Sequence, residues 1–294
     1  MLNFSYLRRP QIYKLAAVLE TKRLVHQDTV IQSLRDRLSL QKASELKVEA
    51  ISTGVQTSGT KTEVLDRIIS QYNDVISPNV TTTGLKMVPE SVISIDVGYR
   101  NLAFAHVTKE NQVLRWQRVD LDIDNHHPSH SAISVTRFVR QQLLISIEKE
   151  CAIVIERQRF RSMGGHSVLE HTLRVNMVEA MLWSAIQCMT GPDIAKEAIN
   201  AIAVEKYWSM TEPDFSTLSS AESKTPNRSK KKRSQDLVTH WLDTNVLDCS
   251  PSLRTMFSAE KKKDDLSDSL IQGVAWLNWR KHMKKCILDT HLND

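Results

Sequence analysis

The stretch Ser91-Val-Ile-Ser-Ile-Asp-Val-Gly98, followed closely by Asn101-Leu-Ala-Phe-Ala-His-Val-Thr108 and Gln112-Val-Leu-Arg-Trp-Gln-Arg-Val119, decides the fold. Each run is rich in β-branched and aromatic residues, and the polar joints between them are too short to hold a helix. Strands over 91–98, 101–108 and 112–119, joined as an antiparallel meander, are therefore expected. Working outward, a helix is expected over 131–149 and a strand over 151–157. Val168, Val175, Val178, Leu182, Ile186 and Met189 recur at helical spacing within 167–190, and Ile199 to Val204 reads as a fifth strand. A last helix over 264–286 carries Leu266, Leu270, Val274 and Leu277 on one stripe. The fold class is α/β, a mixed five-stranded sheet flanked by helices.

Acidic residues fall at the ends of these elements. Asp96 follows Val92, Ile93 and Ile95, and Glu156 follows Ile153, Val154 and Ile155. A lone carboxylate held at a buried strand is costly, and a divalent cation or a neighbouring Arg100 would offset that cost. Asp264, Asp265 and Asp268 open the last helix, where the helix dipole favours negative charge; both Asp264 and Asp265 share a face with Asp268. Hard carboxylate oxygens suit Mg2+, with Mn2+ as a substitute. Two such ions in one site would serve phosphodiester hydrolysis without a serine or cysteine nucleophile.

A net charge of +5 over 294 residues fits a polyanionic partner. The charge concentrates at Arg157-Gln-Arg-Phe-Arg161 and Arg228-Ser-Lys-Lys-Lys-Arg233. No long uncharged apolar run appears, so no membrane span is expected. The four cysteines, Cys151, Cys188, Cys249 and Cys286, form no CxxC pair, which gives no zinc or disulfide framework and points to a reducing compartment. His126, His127 and His130 read as a solvated turn rather than a metal site, and Trp276 and Trp279 as core or dimer-interface residues.

Residues 1–40 form a basic segment, read either as a mitochondrial targeting sequence or as a basic amphipathic helix. Residues 41–72 read as two helices around a turn at Gly54 and Gly59, the second opened by a Thr60/Glu63 capping box. Leu46, Gly54, Ser58-Gly-Thr-Lys61, Leu65 and Arg67 resemble the SAP-type DNA-binding motif, which implies phosphate contacts from Lys61 and Arg67. A plain two-helix packing element is the alternative. Residues 73–90 read as a linker, 91–294 as the main domain, and 211–234 as a mobile loop. Lys230, Lys231 and Lys232 at its basic end are candidates for phosphate contact, a nuclear-localisation signal or a solvated run.

Ser94-Ile-Asp-Val-Gly-Tyr-Arg-Asn-Leu-Ala-Phe104, Val154-Ile-Glu-Arg-Gln-Arg-Phe-Arg-Ser162 and Lys261-Lys-Lys-Asp-Asp-Leu-Ser-Asp-Ser-Leu270 together resemble the motifs of the fungal mitochondrial Holliday-junction resolvases. That resemblance implies the RuvC-like branch of the RNase H fold, Mg-dependent endonuclease activity on four-way junction DNA, a homodimer and the mitochondrial matrix. It implies Asp96, Glu156 and Asp268 as metal ligands, with Asp264 or Asp265 completing the set. Arg100, Arg157, Gln158, Arg159, Arg161 and Arg174 become candidate DNA contacts. Two rival functions are a non-catalytic DNA-binding protein and a nuclease acting on RNA–DNA hybrids. A nucleotide-binding ATPase, which shares the Asp-x-Gly loop, is disfavoured: the chain has eight glycines, and its Gly164-Gly165 pair lies in the wrong place.

Overall fold

The computed structural model describes residues 28–76, 87–123, 127–147, 150–158, 170–191, 194–212 and 226–291. Strands β1 (Ser91–Asp96), β2 (Asn101–Thr108) and β3 (Gln112–Asp120) form the expected antiparallel meander. β4 (Cys151–Glu156) pairs with β1 in parallel, and β5 (Ala195–Ile199) pairs with β4 in parallel. A two-residue β6 (Asp248–Cys249) extends the sheet beyond the five strands read from sequence, giving the order β5-β4-β1-β2-β3-β6.

Helices cover both faces. They are α1 (residues 28–39), α2 (Ala43–Ser52), α3 (Lys61–Ile76), α4 (Pro128–Phe138), α5 (Glu170–Met189), α6 (Ala201–Thr211), α7 (Pro226–Asp243), α8 (Pro251–Ala259) and α9 (Lys263–His291). None of the described helices is long and apolar enough to cross a membrane.

Strand alternation sorts the core into two layers. Ile93 and Ile95 on β1, Phe104 on β2, and Ile153 and Ile155 on β4 pack with Val135 and Phe138 of α4 and with Val178 and Leu182 of α5. Val92 of β1 and Ala152 and Val154 of β4 point the other way, into a cluster with Leu270, Val274 and Trp276 of α9 and Val238 of α7. Both β1 and β4 are therefore buried on two faces, as their continuous apolar runs require.

The N-terminal helices share this second core. Val30, Leu34, Leu46, Val64, Ile68 and Tyr72 belong to the same buried cluster as α9. The turn expected at Gly54 brings the backbone against α9: φ is +76°, and a Cβ there would lie 2.4 Å from the Trp279 ring. The Thr60/Glu63 box is present, with Thr60 N–H donating to Glu63 at 2.7 Å and Glu63 N–H donating to Thr60 at 3.3 Å. Trp276 and Trp279 are core residues, 1% and 3% exposed. At the far sheet edge, Glu197 on β5 accepts from Trp276 Nε1 at 2.8 Å, Arg280 at 2.6 Å and Gln71 of α3 at 3.0 Å.

Four expectations need correction. The strand expected over 199–204 is the end of β5 and the start of α6: Asn200 caps the helix by accepting from Ile202 N–H at 2.9 Å, so the apolar run divides between two elements. The expected loop over 211–234 is helical from Pro226 onward, because α7 buries Leu237, Val238 and Trp241 against the core. The polar turn at the histidines contains the start of α4, which His127 caps; His126 lies outside the described residues. The expected linker is helical as far as Ile76, while its middle, residues 77–86, lies outside the described residues, as does segment 1–27.

Candidate active site

The alternation that builds the core also aims the acids. Asp96 has the parity of Val92 and Ser94, and Glu156 that of Ala152 and Val154, so both carboxylates emerge on the α9 face. The parallel register matches Ile95 with Ile155, which sets Asp96 beside Glu156 one residue on, about a strand spacing of ~4.8 Å away.

Helix α9 is pressed onto this corner. A Cβ at Gly273 would lie 3.0 Å from Ser94 Cβ, so glycine permits the approach. Gln272, one helical turn beyond Asp268, donates through Nε2 to Ser94 Oγ at 3.0 Å and to the Ile95 carbonyl at 3.3 Å. Two buried indoles fix the same helix: Trp116 Nε1 donates to the Leu266 carbonyl at 2.9 Å, and Trp208 Nε1 to the Ile271 carbonyl at 3.1 Å. These contacts hold the first turns of α9, and with them Asp264, Asp265 and Asp268, at the end of β1.

The electrostatics follow. The Asp96 carboxyl is pushed well above its ordinary range, first by burial, then by the negative charges of Glu156 and Asp268, by a hydrogen bond with Glu156, and by the charge of Asp265. Glu156, Asp265 and Asp268 thus all act on Asp96. Each is half-buried, as is Asp264 in the same first turn. Like charges gathered this closely repel until a cation or proton joins them. The donors are all carboxylate oxygens, a set that fits a hard divalent cation.

Further neighbours were not read from the sequence. A small cavity is lined by Glu156, Asp268, Gln272, Ser234 and Glu205, which adds a further carboxylate on α6. Glu205 pairs with Arg233 of the basic run at 3.3 Å. Glu179 on α5 accepts from Gln158 N–H at 3.2 Å; burial raises its carboxyl despite that bond, and the Glu156 charge adds to the rise. Glu205 and Gln272 reach the site only through tertiary packing, and nothing in their local sequence signals it.

The candidate DNA contacts scatter around this corner. Arg157 and Arg100 are exposed beside it, and Gln158 is half-buried. Arg174 of α5 pairs with Glu170 and stacks its guanidinium 5.1 Å from the Tyr99 ring centre, on the loop just after Asp96. Lys232 is exposed on α7. Arg159 and Arg161, and the side chains of Lys230 and Lys231, lie outside the described set. In the N-terminal module, Lys61 donates to the Ser39 carbonyl at 2.7 Å. Arg67 donates to the carbonyls of Glu63, Gln56 and Ser58, so its guanidinium also braces the turn.

Comparison with known proteins gives a consistent result. Residues 92–260 match the family model described as mitochondrial resolvase Ydc2 / RNA splicing MRS1. Cruciform cutting endonuclease 1, mitochondrial, of Schizosaccharomyces pombe is 27% identical over 258 residues, covering 79% of this chain and 90% of that protein. The Saccharomyces cerevisiae protein of the same name is 22% identical over 250 residues, covering 65% of this chain and 69% of that one. The crystal structure of the yeast mitochondrial Holliday junction resolvase Ydc2 superposes with a TM-score of 0.59 at 20% identity, over 86% of this chain and 99% of the other, a likeness of fold.

Proposed function

We propose that this chain, which belongs to the mitochondrial resolvase Ydc2 / RNA splicing MRS1 family, is an endonuclease that resolves four-way DNA junctions in mitochondria. The observation that carries the reading is the convergence of Asp96, Glu156, Asp265 and Asp268 at one corner of the sheet. A protein that only bound nucleic acid would gain nothing from carboxylates that repel one another and the phosphates. Among the two activities named for the family, the cluster favours the nuclease.

In this reading Asp96, Glu156, Asp268 and Asp265 hold divalent cations of the Mg2+ or Mn2+ class. Asp265 is preferred over Asp264 because its charge is one of those acting on Asp96. When bound, such ions supply charge neutralisation at the scissile phosphate and an activated water. The chain's own part is positional: β1 and β4 set two carboxylates side by side, and α9 brings the others across. Arg100, Arg157, Gln158 and Arg174 border the corner and are assigned to junction phosphates; Arg159, Arg161, Lys230, Lys231 and Lys232 are assigned the same role from the sequence alone, and Lys61 and Arg67 serve the N-terminal module. A homodimer suits a substrate of approximate two-fold symmetry that needs paired nicks.

The test is cleavage of a synthetic four-way junction, a linear duplex and an RNA–DNA hybrid of matched sequence, with Mg2+ present. Symmetric nicking of the junction alone is expected, and Asp96→Asn should abolish cutting while junction binding persists. Equal cutting of junction and linear duplex, or preference for the hybrid, would overturn the assignment.

A further inference from the structure

At the opposite end of α9 from the carboxylates lies a cluster of different chemistry. His282 and Cys286 stand one helical turn apart on the same face of α9, opposite Glu49 of α2. His282 Nε2 is 3.1 Å and 3.2 Å from the two oxygens of Glu49, and Cys286 Sγ is 3.6 Å from the same nitrogen. One donor atom from each residue falls within 4.8 Å of the other two, and all three side chains are partly buried. The Tyr72 hydroxyl of α3 donates to Glu49 Oε1 at 2.7 Å.

We infer that Glu49, His282 and Cys286 form a second metal site, for Zn2+ or an ion of similar softness, that fastens the N-terminal helices to the last helix.

The distances fit the ion. Zinc bonds of about 2.0–2.3 Å arranged tetrahedrally place neighbouring donors roughly 3.3–3.6 Å apart, close to the separations of 3.1 Å and 3.6 Å from His282 Nε2 to Glu49 and Cys286. The donors differ in kind from those of the sheet corner: a thiolate and an imidazole select zinc over Mg2+, whereas all-carboxylate sites select the reverse. A hydroxyl donated to a ligating carboxylate is the usual outer support of such a centre, and Tyr72 supplies it. The fourth position falls to water. The three ligands come from two elements far apart in sequence, so an ion there would cross-link the module at its most distant connection.

The test uses the purified full-length chain, dialysed against Zn2+ and analysed for metal, with Co2+ as an optical substitute. About one zinc per chain is expected to be retained in the presence of excess Mg2+ and in Asp96→Asn. The Co2+ form should show a near-ultraviolet sulfur-to-metal charge-transfer band that Cys286→Ser removes. His282→Ala and Glu49→Gln should each weaken zinc binding at least about tenfold, and zinc should raise the melting temperature of the wild type but not of Cys286→Ser. Far-UV circular dichroism identifies any variant that fails to fold, and Cys286→Ser, which changes one atom, keeps the test decisive. Absence of zinc from the wild type, or undiminished zinc in a folded Cys286→Ser protein, would overturn the inference.

Discussion

Replacing Gly273 tests whether the seating of α9 sets the catalytic geometry. A methyl at this position would sit 3.0 Å from Ser94 Cβ and 3.5 Å from Val92 Cγ1. Ordinary carbon contacts need about 3.5–4.0 Å, so Gly273→Ala requires α9 or Ser94 to give by a few tenths of an ångström. Asp268 lies about 7–8 Å away along the same helix axis, too near for the displacement to be absorbed before it reaches the carboxylate. A misplacement of about 1 Å typically costs on the order of a hundredfold in rate, so a shift of a few tenths should lower single-turnover cleavage of the four-way junction by roughly two- to tenfold. Stability should move much less. Alanine gains about 1 kcal/mol in helix propensity over glycine, which offsets part of an overpacking cost of about 1–3 kcal/mol. Gly273→Val should deepen the loss of cutting, while gel-shift affinity for the junction stays near wild type in both. A folded Gly273→Val protein that cuts at the wild-type rate would refute the link between helix seating and catalysis.

Three further outcomes are expected. Glu197 is raised by burial, but the Arg280 charge and the bonds from Trp276, Gln71 and Arg280 outweigh it and leave its carboxyl below the ordinary 4.5. Its contribution is therefore present above about pH 4.5 and lost as pH falls through the lower folded value. Glu197→Gln, which leaves Arg280 unpaired, should cost roughly 2–3 kcal/mol near neutrality, and thermal melts from pH 7 to pH 3 should show the gap from wild type closing in acid. Leu46→Ala, at a fully buried position of the core shared with α9, should cost about 2–5 kcal/mol; calorimetry should still record one transition, and a separate low-temperature melt of the N-terminal helices would contradict the shared core. Arg67→Lys loses the planar fork that reaches three carbonyls and should lower stability by roughly 1 kcal/mol, measured by chemical denaturation without DNA.

The sheet was legible because β1, β2 and β4 are buried on both faces and short polar joints separate β1, β2 and β3. Asp96 and Glu156 were legible as a pair because each ends such a strand. What the sequence concealed depends on contacts between distant segments. Asn200 carried a readable helix-capping signal, yet the apolar residues on both sides of it suggested one strand. Helix α7 opens with a run of lysines and arginines that looks like loop, and only the stripe of Leu237, Val238, Trp241 and Leu242 reveals the buried face. Gln272 and Glu205 show no local pattern at all, since their roles arise from the strand and helix that pack against them. The N-terminal helices looked like a separate module because their own motif is complete; their burial against Trp279 depends on a partner more than two hundred residues later.

The pairing of Ile95 with Ile155 has a further consequence for how this protein tolerates change. Since the two strand-end acids meet through register, a single-residue deletion inside β1 or β4 would turn the carboxylate of that strand to the opposite face, even with every other residue intact. Conservative swaps among Val, Ile and Leu in the same strands leave the parity untouched. A deletion scan and a substitution scan of residues 91–96 and 151–156 should therefore give opposite maps: permissive for side-chain identity at the apolar positions, and intolerant of any change in strand length.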